Sequence, residues 1–88
     1  MDKEKRDDTI LEIAIMEMGR MRKGASFCPS EVVRWLYPQD WRFFMDEIKQ
    51  EMMKLYREGK ILVTQKDKAV DPAILPKGPV RIKVIKLL

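Results

Sequence analysis

Apolar positions recur along this chain with two different periods, and the change of period divides it. Ile10, Leu11, Ala14, Ile15, Met18 and Met21 fall within a sector of about 140° at 100° per residue, which predicts a helix over residues 9–23 with a broad core-facing stripe. Thr9 followed by Glu12 reads as a capping box, with Asp7 and Asp8 suited to a helix N-terminus and Gly24 as the C-cap. Gly19 inside this helix calls for a packing reason, because glycine there costs up to about 1 kcal/mol relative to alanine. Residues 25–28 are too short for anything but an extended link. Pro29 keeps Cys28 out of the helical region and opens a short second helix over residues 29–37. Val32, Val33 and Leu36 give that helix its apolar side, and Pro38 stops it. Asp40 is placed to cap a third helix over residues 41–58, where Trp41, Phe44, Met45, Ile48, Met52, Leu55 and Tyr56 keep one face. Gly59 ends it.

Beyond Gly59 the period becomes two. Residues 60–65 alternate around Ile61 and Val63 and predict a strand, and residues 80–87 predict the returning one, with Arg81 and Lys83 on one side and Val80 and Ile82 on the other. Val84-Ile85 reads as a slip in the alternation, for which a β-bulge is the expectation, placing Lys86 with the cations and Leu87 with the apolar set. Asp71-Pro72 and Pro76-Lys77-Gly78-Pro79 supply turn chemistry between the strands. Three helices followed by a two-stranded hairpin form an α+β, mostly α fold, in the order of a winged helix-turn-helix. The runner-up architecture is a three-helix bundle whose hairpin serves dimerisation. Eighty-eight residues suffice for one domain, with residues 1–8 as a charged tail.

Composition removes several function classes. There is no histidine and one cysteine, so the usual zinc sites and Ser-His or Cys-His nucleophile pairs cannot be assembled within this chain. No Gly-rich phosphate loop or calcium-loop pattern occurs, so no cofactor, metal or catalytic residue is expected, and the protein reads as a binding module, not an enzyme. No apolar run approaches the ~20 residues that span a bilayer, and the charged start has no apolar h-region. With a lone cysteine, the expectation is a protein of the reducing cytoplasm, and Cys28 is expected to be structural.

Charge narrows the module. The net charge is +4, yet residues 59–88 alone carry +5, from seven cations against Asp67 and Asp71. Lys66, Lys68, Lys77, Arg81 and Lys83 therefore form a candidate phosphate-holding wing. On the third helix, angular reckoning from Arg42 gathers Arg42, Lys49, Gln50, Lys54, Arg57, Asp46, Phe43 and Met53 opposite the core, for a net +3 on that face. Arg42, Lys49, Gln50 and Arg57 have the chemistry of groove reading. Phe43 and Met53 on the same face point instead to a partner protein, or else to packing against the neighbouring second helix. Trp35 and Tyr37 are candidate platforms for base stacking, while Trp41 falls on the core face.

Several strings, Cys28-Pro29-Ser30-Glu31-Val32, Asp40-Trp41-Arg42, Glu58-Gly59-Lys60-Ile61, Val70-Asp71-Pro72 and Gly78-Pro79-Val80-Arg81, occur in an order that resembles a small, mostly bacterial winged-helix family catalogued as a domain of unknown function. The resemblance spans roughly residues 9–85 and implies the winged-helix fold and a bacterial source, with no assigned reaction. Two functions stand at this point. One is a nucleic-acid-binding module, such as a transcriptional regulator, that holds duplex DNA through its wing. The other is a module for binding another protein or a second copy of itself, through Phe43, Met53 and the hairpin edge.

Overall fold

The structure, a computed structural model, describes the backbone of residues 3–85 and the side chains of residues 10–85. Helix α1 spans Lys3–Met21, α2 spans Pro29–Leu36, and a 3-10 turn at Trp41–Phe44 leads into α3 at Met45–Arg57. Strands β1 (Ile61–Gln65), β2 (Lys68–Ala69) and β3 (Arg81–Val84) then form an antiparallel sheet of order β2-β1-β3. Three helices followed by a small antiparallel sheet give a winged helix-turn-helix-like architecture.

Several expectations are corrected. Residues 3–8 are the first turns of α1 and not a tail, so Thr9 lies inside the helix and is not its cap. The KEKRDD segment has good helix formers but no apolar stripe to announce it. Helix α1 ends at Met21, since Lys23 and Gly24 take φ of 53° and 87°, and the Gly24 N–H donates back to the Gly19 carbonyl at 3.2 Å. Its buried stripe is Leu11, Ala14, Ile15 and Met18, whereas Ile10 and Met21 are 45% and 47% exposed. The wing has three strands, not two.

Among the described residues no bulge interrupts β3. β1 and β3 pair in one register from Ile61–Val84 to Thr64–Arg81, and the Ile85 N–H donates to the Lys60 carbonyl at 3.1 Å, continuing that register without an extra residue. Val80, Ile82 and Val84 all point inward, and Ile85 is an exposed apolar residue just past the strand. Lys86 and Leu87 lie outside the described residues.

Phe27 joins the sheet from the α1–α2 link. It is fully buried and exchanges two backbone hydrogen bonds with Ile82, at 2.9 and 2.7 Å. Helix α3 lies at the centre, packed against α1, α2 and β1, with Ile48, Met52 and Leu55 fully buried.

Gly19 has its packing reason. A Cβ there would stand 3.3 Å from Val84 Cγ1 and closer still to the rest of that side chain, so the missing methyl is what lets α1 approach β3. Gly19→Ala is expected to cost about 1 to 3 kcal/mol, and Gly19→Ala with Val84→Ala to cost less than the sum of the two single changes. Urea denaturation of the four proteins checks this, and strict additivity would mean that the two positions do not compete for space.

Candidate nucleic-acid interface

The wing is shaped by two tight connections. Lys66 and Asp67, at φ of 53° and 67°, join β1 to β2 in a two-residue turn of the primed kind, which right-twisted strands favour. The long return to β3 is pinned to its neighbours. The Tyr56 hydroxyl donates to the Val70 carbonyl at 2.6 Å, and Arg57 Nη1 donates to the Pro72 carbonyl at 3.1 Å. Asp71 accepts the Ala73 N–H at 2.9 Å in an Asx-turn, and Gln65 Nε2 donates to the carbonyls of Lys77 at 2.5 Å and Pro79 at 3.2 Å.

These contacts bring four cations from separate stretches of chain around one open cleft of about 820 Å³. Lys66, Lys68, Lys77 and Arg81 line it, with Cys28, Thr64, Gln65 and Asp67 among the other wall residues. A smaller cavity of about 280 Å³ shares Cys28, Pro79 and Val80 with it and is lined by Lys49 and Ser30, so the start of α2 and one side of α3 adjoin the cleft. Lys83 is exposed on the same side of β3 but lies outside the cleft wall.

Arg81 differs from the three lysines in being held. Its Nη2 donates to the Ser26 carbonyl at 3.0 Å and to Ser26 Oγ at 3.1 Å, Nε donates to that same Oγ at 3.2 Å, and Nη1 reaches Cys28 Sγ at 3.1 Å. Cys28, half-buried, precedes α2. The Cys28 N–H donates to Glu31 Oε2 at 2.9 Å, and Arg22 donates to Glu31 Oε1 at 2.5 Å.

On α3 the angular reckoning needs correction. Met53 is 2% exposed and Glu51 3%, so neither belongs to an outward face, and Met53 is withdrawn from any partner surface. Packing against three elements encloses the helix over an arc of roughly 200°, wider than an amphipathic stripe suggests. The exposed residues of α3 are Asp46, Glu47, Gln50, Lys54 and Arg57, with Glu58 at its end. With exposed Arg42 of the preceding 3-10 turn counted in, the expected +3 is thus a balance of three cations (Arg42, Lys54, Arg57) against three acids (Asp46, Glu47, Glu58). Lys54 pairs with Glu51 at 3.6 Å and Glu12 at 3.8 Å, and Glu51 foremost holds its ammonium above the usual lysine range. Arg57 is committed to the Pro72 carbonyl, while Gln50 is exposed and Lys49 half-buried.

The helix-turn-helix corner holds the aromatics. Tyr37 stacks on Phe44 with centroids 4.0 Å apart, so it is not a free platform. Trp35 remains 46% exposed and Phe43 79%. Trp41 is half-buried, with the guanidinium carbons of Arg34 and Arg42 at 4.3 and 4.4 Å from its ring. Arg34, Ser26 and Phe27 escape a reading based on periodicity, since only the fold brings them to these partners. Among the described residues no group of three or more His, Cys, Asp or Glu is placed to hold a metal ion, and no helix is long and apolar enough to cross a membrane.

The Cys28 N–H, together with Arg22 and Arg81, holds the Glu31 carboxyl below the usual carboxylate range. A depressed folded pKa means stabilisation that is present above the unfolded value of about 4.3 and lost as pH falls through the folded one. Glu31→Ala is therefore expected to cost about 1 kcal/mol near pH 7, the size of a lost cap, with the deficit shrinking below about pH 4. Urea midpoints of the two proteins across that range measure it, and an unchanged deficit at the acid end would contradict the assignment.

Comparison with curated proteins gives no match. The family described as Protein of unknown function (DUF3253) matches residues 7–85, from the first turns of α1 to the residue after β3, and the chain belongs to that family.

Proposed function

We propose that this protein is a nucleic-acid-binding winged-helix module led by its wing, acting as a transcriptional regulator in the bacterial cytoplasm that the family resemblance and the single cysteine imply. The observation that carries this reading is the convergence of Lys66, Lys68, Lys77 and Arg81 on one cleft, with a single acid, Asp67, in its wall. A polyanion satisfies such a surface by placing successive phosphates on it and releasing counterions. Lys49 beside the adjoining cavity extends the cationic surface toward α3. Helix α3 itself is a secondary contributor, because its free face is close to neutral. Gln50 is left as its candidate for reading base edges. Lys83 adds charge on the same side of the sheet. The competing reading, a module that binds another protein or its own copy, rests on Phe43, a residue 79% exposed.

Three to five phosphate contacts give an expected slope of log K against log salt of roughly −3 to −4.5 on duplex DNA. Lys66→Gln, Lys68→Gln and Lys77→Gln together are expected to reduce its steepness by roughly 2 to 3, since each contact contributes about 0.9. Gln50→Ala should leave the slope unchanged and alter only sequence preference. Arg81 is kept because it also holds the wing in place. Fluorescence anisotropy with a labelled duplex at several salt concentrations makes the measurement. Absence of binding at tens of micromolar protein and about 50 mM salt would exclude the nucleic-acid reading in favour of the protein-binding one, because non-specific affinity alone gives Kd of roughly 10⁻⁴ to 10⁻⁶ M.

A further inference from the structure

The arginines at the helix-turn-helix corner lie on neither wall of the wing cleft. Arg34 comes from the last turn of α2 and Arg42 from the 3-10 turn that leads into α3. Both are exposed, and their guanidinium carbons stand 4.3 and 4.4 Å from the centroid of the Trp41 ring. The two carbons are thus within about 9 Å of each other, the sum of those distances. Stacking on an indole restrains a guanidinium while leaving its N–H groups free at the edge, which is the arrangement that binds an anion in bidentate fashion at little further entropic cost. The ring is itself seated against the core, where Trp41 packs half-buried.

We infer that Arg34 and Arg42, held over Trp41, form a second phosphate site, whose ligand in a complex is the phosphodiester backbone flanking the groove that α3 approaches. This rests on the nucleic-acid reading above and adds to it a contact on the opposite end of the helix-turn-helix from the wing. The placement suits that ligand: in helix-turn-helix docking the first helix crosses the backbone, and Arg34 belongs to that helix. Exposed Asp40, next to Trp41, and exposed Asp46, one turn beyond Arg42, oppose part of this charge.

The test uses Trp35→Phe as parent, leaving Trp41 as the sole tryptophan of the two. In this background Arg34→Gln with Arg42→Gln is compared with Arg34→Lys with Arg42→Lys, after thermal melts establish that all are folded. On labelled duplex, the glutamine pair is expected to lower the steepness of the salt slope by nearly 2, while the lysine pair retains it, because the slope counts charges. Inorganic pyrophosphate is expected to change Trp41 emission in the parent and not in the glutamine pair. An unaltered slope in the glutamine pair, with the wing triple variant still lowering it, overturns this site and leaves the wing reading standing. If the parent does not bind duplex at all, the nucleic-acid reading falls. The pyrophosphate titration then decides the site alone: a response abolished by the glutamine pair upholds it, and no response overturns it.

Discussion

The backbone pairing of Phe27 with Ile82 is the constraint on which the arrangement of this molecule depends. Two hydrogen bonds and a fully buried ring tie the seven-residue link between α1 and α2 to β3, residues more than fifty positions away. With Ile82 facing inward, strand alternation turns Arg81 outward, directly beside Ser26 and Cys28, where its guanidinium closes a second set of bonds across the same junction. The wing therefore cannot swing relative to the start of α2 without breaking both. A cleft whose walls come from the wing and from Cys28 keeps its shape because one bridge sets the distance between them.

Much of this was legible from the sequence where periodicity and special residues agree. Proline and glycine marked the element boundaries to within a few residues, and the period change at Gly59 separated helices from sheet. The errors have physical causes. A single angular stripe cannot anticipate a helix enclosed on three sides, which is why Met53 falls on the outward face by angle and yet is buried. β2 went unseen because it has two residues and because Lys66-Asp67 lacks the Asn-Gly signature of a primed turn. Ile85 imitated a slipped register simply by being apolar and exposed. Of the candidate site, the wing cations could be picked out from charge alone. The fixed state of Arg81 and the pairing of Arg34 with Arg42 required contacts between residues that no local pattern connects.

Charge is distributed so that much of it is spent internally. Lys54 and Lys60 both reach Glu12, and each also pairs with an acid nearer in sequence, Glu51 and Glu58, knitting α1 and α3 to the segment that enters β1. Arg20 pairs with Glu17, which is held below the usual carboxylate range by that hydrogen bond, and Arg22 with Glu31. Pairs of this exposed kind add little stability, but they neutralise the helical side of the protein. The field that remains is concentrated toward the wing lysines, although the net charge of the whole chain is only +4.

The way the sheet ends has a consequence for how the protein behaves at high concentration. β2 is two exposed residues long, one of them a lysine, and the chain leaves it for a loop containing three prolines before β3. On the far side, β3 already meets Phe27 at Ile82. Neither margin offers a long row of unpaired backbone groups, which is what templating by another chain requires. Growth of this sheet into strand-swapped polymers or fibrils is thus disfavoured by the geometry of its borders, and the hairpin edge is poorly suited to join one copy to the next.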